Sequence, residues 1–413
     1  MTQAQPAASQ ETPSAALPMP QWELVIMVAS LMALNALAID IMLPGLGNIA
    51  EHYDLQRAND QQLVIFAYVA GFGAPQLVFG PISDRFGRKG VLSICLIAYA
   101  AGALACIATS SFTTLLVARF VQGIFASGVR VVAVSIVRDL LAGRAMARIM
   151  SLVMTVFMVV PILAPTLGAG VMLFAPWQWT FGVLIIAALT NLLWIQVRLP
   201  ETLPPSARVP LNPKQTGSAY WQVLTTRVTF GYMAASGVIF GALFAFVAAS
   251  EQIFTDVFGQ EETFALWFAG VAAALAGANF LNSRIVEKYG MRRISHSVLI
   301  LFTGLALVNA LTLMTVGEKL WLFYPLFCLT FGCFGMLGAN FTALAMEPQG
   351  KIAGTASAAY GFASTTLASF IGYLVASQFN GTVAPFMWGF VVLGAASFVI
   401  VFATEGGKLF RTG

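Results

Sequence analysis

Gly80-Pro81-Ile82-Ser83-Asp84-Arg85-Phe86-Gly87-Arg88-Lys89 places three cations and one carboxylate within six residues of a chain that is only 9% charged. Long apolar runs flank it on both sides. A charged segment with glycine and proline between two such runs reads as a short turn joining two membrane helices. Its cations then fix which way the chain faces.

The composition supports a bilayer as the solvent. The chain has 413 residues, 59% of them hydrophobic, and a mean hydropathy of +0.83. Soluble domains are about a quarter charged and under half apolar. In water this chain could not cover its surface with polar groups, whereas helices in lipid satisfy their own backbone. The net charge of +4 is small and gives no sign of a nucleic-acid partner. Cys95, Cys106, Cys328 and Cys333 lie in apolar runs without C-x-x-C or metal-ligand spacing, so they read as small buried hydrophobes. His52 and His296 are isolated, and no metal site or cofactor is expected. Residues 1–21 are rich in Ala, Pro, Gln, Ser and Thr and lack the cationic start of a signal peptide. They read as a disordered cytoplasmic tail.

A hydrocarbon core of roughly 30 Å needs about 20 apolar residues as helix. Twelve segments qualify, near 23–45, 60–81, 91–109, 112–135, 146–173, 177–198, 229–250, 263–285, 294–316, 320–344, 353–378 and 384–404. The longest interruption, 199–227, holds Pro200, Pro204 and Pro205 and reads as a linker. It divides the chain into six-helix units over 22–198 and 228–404, with a short tail over 405–413. The expected fold is an all-α membrane protein of two pseudo-symmetric six-helix bundles.

Lysines and arginines distribute unevenly among the connections. Seventeen fall on the side of the termini and two, Arg57 and Lys319, on the other, while Arg119 and Arg130 lie inside a span. The positive-inside rule then puts both termini in the cytoplasm. Asp84-Arg85-Phe86-Gly87 also has an echo in Glu287-Lys288-Tyr289-Gly290, at the end of the matching span of the second half. That is the sign of an internal repeat, with the second copy decayed.

Charged groups inside spans are rare and usually functional. Asp40 is the one acid well inside a predicted span, in the stretch that begins at Asn35. Desolvation and a nearby cation would pull its protonation in opposite directions, so it could titrate as a cavity opens to either side. It reads as a proton carrier, as a counter-ion for a cationic substrate, as a static partner of an intramembrane arginine, or as a cap near Pro44. Arg119, Gln122 and Arg130 share a face of span 4, since eleven residues are about three helical turns. This face must look inward, toward Asp40, toward substrate, or into structural hydrogen bonds. Pro161, Pro165 and Gly168 give span 5 a bend and a packing face, with or without hinge motion. Tyr68, Phe72 and Gln76 line one face of span 2, and Tyr232, Ser236, Phe240 and Phe244 one face of span 7. With Asn35, Met154, Met158, Asn279, Asn282, Asn340, Ser357 and Tyr360 they either wall a ligand cavity or simply pack.

The Gly80–Lys89 stretch and Arg119-Phe120-Val121-Gln122-Gly123 resemble signatures of the major facilitator superfamily. Ala164-Pro165-Thr166-Leu167-Gly168 is similar to the span-5 motif of its exporters, with Ala164 where glycine is usual. Asp40-Ile41-Met42-Leu43-Pro44, Ile136-Val137-Arg138-Asp139, Trp177-Gln178-Trp179-Thr180-Phe181 and Leu199-Pro200-Glu201-Thr202-Leu203 extend the likeness to the Bcr/CflA group of drug-resistance exporters. Arg130 stands outside that group's pattern and would suit an anionic group. The resemblance implies two bundles rocking about a central cavity in the inner membrane, as a monomer, exchanging protons for small amphipathic drugs or metabolites. It implies Asp40 as the proton site with Arg119 nearby. It also implies a gate at Gly80, Asp84, Arg85, Gly87, Arg88 and Asp139 that latches the bundles together. The proton gradient would be the only driving force, with no cofactor. A proton-coupled importer on the same fold is the competing reading. An enzyme finds no support, since the sequence carries no Ser/His pair, metal cluster or phosphate loop.

Overall fold

The structure, a computed structural model, describes residues 19–410 apart from 142, 209, 211 and 212. The expected tail over 1–21 lies outside the described residues as far as residue 18, and the tail over 405–413 does so for its last three.

The described residues form α-helices, short helical turns and connections, with no strand. The first half comprises α1 (Gln21–Asp40), α2 (Leu46–His52), α3 (Leu63–Gly73), α4 (Gln76–Phe86), α5 (Arg88–Ile107), α6 (Phe112–Leu140), α7 (Gly143–Phe157), α8 (Val160–Met172) and α9 (Trp179–Arg198). The linker carries α10 (Pro213–Thr225). The second half comprises α11 (Arg227–Gln252), α12 (Phe264–Tyr289), α13 (Met291–Val316), α14 (Leu320–Met346), α15 (Ala353–Ala376) and α16 (Ala384–Thr404). Eleven helical stretches are long and apolar enough to cross a membrane, or twelve when α3 and α4, bent by 46°, count as one span. Six therefore precede the linker and six follow it.

Three spans of the first half are broken, and prolines account for the breaks. A proline cannot donate to the carbonyl four residues earlier. Pro44 thus leaves the Asp40 carbonyl without its helical partner, and α1 ends at Asp40. Pro161 does the same to Phe157, the last residue of α7. Pro75 removes the donor for Gly71 at the bend between α3 and α4. Pro81 and Pro165, by contrast, sit inside continuous helix.

The charged stretch at 80–89 is not an extended turn. Residues Gly80 to Phe86 complete α4, Gly87 alone turns the chain at a φ of 98°, and α5 starts at Arg88. The helix runs past the apolar segment because backbone hydrogen bonding continues where the hydrocarbon ends. Gly290 repeats the device between α12 and α13 at a φ of 80°.

The linker is also more ordered than its composition suggests. Val223 of α10 is buried against Ala356 and Ala359 of α15. Tyr220 donates to the Leu77 carbonyl of α4 at 2.9 Å. Burial pushes its phenol above the ordinary tyrosine value, so the donor keeps its proton. Helix α10 therefore touches both halves on the face that carries the termini.

On the opposite face the halves are joined by amides. Asn59 donates to the carbonyls of Ser377 (3.0 Å) and Phe379 (2.8 Å). Gln61 donates to Glu251 at 3.1 Å and Gln62 to Gln252 at 2.7 Å. Gln252 in turn reaches the Ala58 carbonyl at 3.2 Å. A small cavity of about 170 Å³ lies beside this clasp, lined by Pro44, Gly47, Glu51, Glu251, Thr255 and Glu261 among others.

Candidate functional site: an intramembrane charge cluster

Asp40 sits at the break in span 1, 5% exposed. Among the described residues no hydrogen bond or ion pair engages its carboxylate. Its surroundings come from three spans. Arg119 of α6 donates to the Ala38 carbonyl, two residues away, at 3.0 Å. Gly168 of α8 lies so close to the Ile41 carbonyl that a side chain there would collide with it. Gly168 thus serves close approach of span 5 to the broken turn beside Asp40.

Arg119 is fully buried, and each of its three nitrogens donates. Nε binds the Val64 carbonyl at 3.2 Å, Nη1 binds Gln122 Oε1 at 2.8 Å, and Nη2 binds Ala38. Its guanidinium lies 4.4 Å from the Tyr68 ring centroid and 5.6 Å from that of Phe181. Tyr68 donates to Asn35 at 3.0 Å. Arg119 reaches the Ala38 carbonyl, two residues before Asp40, and makes no ion pair with Asp40.

Spans 2 and 4 are held unusually close here. Side chains at Gly71 or Gly123 would strike the carbonyls of Phe120 and Tyr68. Arg130, three turns below Arg119, is half-buried with its guanidinium 5.7 Å from the Phe72 ring centroid. Gln76 donates to the Phe72 carbonyl at 3.4 Å and across to the Gly361 carbonyl at 3.5 Å. Asn279 reaches across to Met158 at 3.5 Å, with Met154 one turn earlier on α7 and half-buried.

In the second half, Tyr360 donates to Ser236 at 2.7 Å. Asn282 and Asn340 exchange hydrogen bonds of 3.3 and 2.9 Å. Phe240 packs on Phe334 at 5.8 Å between centroids, and Phe244 is half-buried beside Gly372. Tyr232 stands apart from this group. It is fully buried, edge-on to Phe341, and donates to Glu405 at 2.7 Å near the end of α16.

Around the charged turn, Arg88 pairs with Asp84 at 2.6 Å and Asp139 at 2.8 Å, and donates to Ser83 at 2.6 Å. Glu201 accepts from the first backbone amides of α5, Arg88 at 2.8 Å and Lys89 at 3.3 Å, where a carboxylate suits the helix N-terminus. Gly80 faces open space and Arg85 is exposed. Every Arg88 partner belongs to the first half or the linker. The network ties spans 2, 3 and 4 to the linker; contacts between the halves near it include the Arg138 guanidinium beside Gly354 and Leu77 of α4 packed in the cluster of Ala356 and Ala359 of α15.

The profile of the Major Facilitator Superfamily matches residues 28–373. The chain belongs to this superfamily. Its relatives include the uncharacterized MFS-type transporter YdgK of Bacillus subtilis, 33% identical over 91% of this chain and 92% of that protein. The bicyclomycin resistance protein homolog of Haemophilus influenzae is 30% identical, covering 92% of this chain and 94% of that one. The multidrug resistance protein MdtL of Klebsiella pneumoniae is 30% identical over 70% of this chain and 74% of that one. Among solved structures, the xylose transporter XylE of E. coli has a TM-score of 0.74 at 12% identity, over 95% of this chain and 99% of that one. The likeness to Bcr/CflA exporters holds, and these are transporters, not enzymes.

Seen as a major facilitator protein, the chain has a second clamp that the motif at Glu287 did not disclose. Arg292 pairs with Glu347 at 2.7 Å and Glu405 at 3.1 Å. These groups follow Gly290, end α14 and end α16. In the first half Arg88 follows Gly87 directly and pairs with Asp84 and with Asp139 near the end of α6, while Glu201 after α9 binds backbone amides. Each half therefore clamps an arginine near its turning glycine with two acids, drawn from different positions in the two halves. Sequence reading missed it because it compared adjacent residues, and the clamp is assembled from three spans.

Proposed function

We propose that this protein is a proton/substrate antiporter that exports small amphipathic drugs or metabolites by alternating access. The observation that carries the reading is Asp40, a buried carboxyl at the break in span 1 that no hydrogen bond or ion pair engages among the described residues. An unpaired carboxylate in an apolar surround is costly. The cost falls when a cavity brings water, so gain and loss of a proton become coupled to which side is open. Arg119 binds the carbonyls of Ala38 and Val64 and so keeps α1, α3 and α6 in register at this break. The names of the bicyclomycin and multidrug resistance relatives, and the Pro161–Gly168 run, support export.

The excess of cations on the side of the termini supports an inner-membrane protein with cytoplasmic termini. The transporter works as a monomer and without a cofactor, on protons, substrate and the bilayer alone. The units 22–198 and 228–404 are the rocking bodies, and 199–227 couples them through α10. In this reading Tyr68, Phe72, Gln76, Met158, Phe240, Asn279 and Tyr360 contact the substrate. Arg88, Asp84 and Asp139 shape the gate on the terminal face.

A growth panel of toxic compounds, with and without expression, identifies a substrate. Proteoliposomes loaded with a pH dye then report proton movement when that substrate is added. Antiport predicts protons moving against the substrate. Protons moving with it would establish an importer instead.

A further inference from the structure

We infer that Arg130 is an anion-recognition site in the transport path, so that preferred substrates carry an oxyanion, such as a carboxylate or sulfonate, on an apolar body. The inference rests on the reading of the chain as an exporter of small amphipaths and names their charge.

The two arginines of α6 differ in one respect. Arg119 spends every nitrogen on protein acceptors. Arg130 has no hydrogen bond or ion pair among the described residues, and its described interaction is the Phe72 ring at 5.7 Å. A guanidinium on an aromatic ring uses its face and leaves its N–H edges free, and that fork matches an oxyanion. Arg130 is half-buried and so retains some accessible surface.

The protein's own acids are otherwise placed. Asp84 and Asp139 are held by Arg88, Glu347 and Glu405 by Arg292, and Glu251 by Gln61 on the opposite face. Asp40 lies beyond 4.0 Å. Lipid headgroups are also a poor match. Arg130 lies ten residues, about 15 Å, before the end of α6 at Leu140. Helix side chains lean toward the N-terminus, so its head points deeper, toward Phe72. A half-buried intramembrane cation kept away from both headgroups and carboxylates is costly unless something supplies the anion. An anionic substrate supplies it, between the Phe72 ring and the Gln76 amide that bridges to Gly361.

Dansylglycine and dansylglycinamide share a body and differ in one negative charge. Their fluorescence is titrated against the full chain in lipid nanodiscs, with protein-free nanodiscs subtracted. The wild type should bind dansylglycine about tenfold tighter than the amide, the scale of one charge-assisted bidentate contact. Arg130→Gln should bring the two within about twofold while leaving the amide unchanged, and Arg130→Lys should keep part of the preference. An unchanged affinity for the amide shows that the variant is folded. Equal affinities in the wild type, parallel loss of both probes in Arg130→Gln, or no saturable dansylglycine binding would overturn the assignment. The titration needs no gradient. A charge preference without gradient-driven transport would remove the export reading and leave Arg130 in place; the reverse result would do the opposite.

Discussion

Gly168 and Gly170 lie two residues apart in α8 and meet different surroundings. A methyl at Gly168 would strike the Ile41 carbonyl, part of a backbone fixed by the break after Asp40; at Gly170 nothing lies within 4 Å. Gly168→Ala should therefore destabilise by about 1–3 kcal/mol as the spans are forced apart. Gly170→Ala should be neutral or slightly stabilising, since alanine is the better helix former. Thermal unfolding in detergent reads both. Equal melting temperatures would mean that the approach of α8 to Asp40 is looser than described. Arg119 gives a second test. Lysine keeps the charge, but its ammonium cannot reach the Val64 and Ala38 carbonyls and Gln122 in one geometry. Arg119→Lys should lose about 1–3 kcal/mol through carbonyls left unpaired, seen as a lower melting temperature. An unchanged melting temperature would count against the arginine's role in holding α1, α3 and α6 together.

Individual elements show how far the sequence could be read. Apolar runs of span length located the helices within a turn or so, because lipid demands such runs wherever the backbone crosses it. Cation counting put the turn at Gly87 on the side of the termini for the same reason. The breaks were less legible. Pro44, Pro75, Pro81, Pro161 and Pro165 all lie in apolar surroundings, yet three end or bend a helix and two do not. Local sequence does not say which freed carbonyl a neighbouring span will satisfy. Helix α10 was hidden because its polar composition matches a linker; Val223 and Tyr220 form a docking face only once α4 and α15 are adjacent. Asp40, Arg119 and Arg130 were legible as charges in the wrong solvent. Which of them is paired was not, since pairing depends on three spans meeting. If the break before Pro161 serves motion, Pro161→Ala should restore the bond to Phe157 and straighten span 5. Substrate would still bind, but turnover should slow, by about tenfold if gating limits the cycle. Unaltered turnover would leave the break a packing feature.

At the scale of the whole molecule, the halves are joined by a clasp of amides on one face and by α10 on the other. Each clasp bond contributes about 0.5–1.5 kcal/mol net. Gln62→Leu removes the bond to Gln252, and with it a bond to the Ala376 carbonyl. It should shift the balance toward the state open on that face by roughly 5- to 150-fold. Thr255→Cys, lining the adjacent cavity, would report the shift as faster labelling by an impermeant maleimide. An unchanged rate would show that the clasp does not set the resting state. The central claim is that the proton carried by Asp40 drives the exchange between such states. The most direct measurement is accumulation of a panel-identified substrate in proteoliposomes under an imposed pH gradient, wild type against Asp40→Asn. Asparagine keeps the shape and cannot release a proton, so gradient-driven accumulation should fall to the level of protein-free liposomes while substrate binding stays within about threefold. Accumulation that persists in Asp40→Asn would contradict the account.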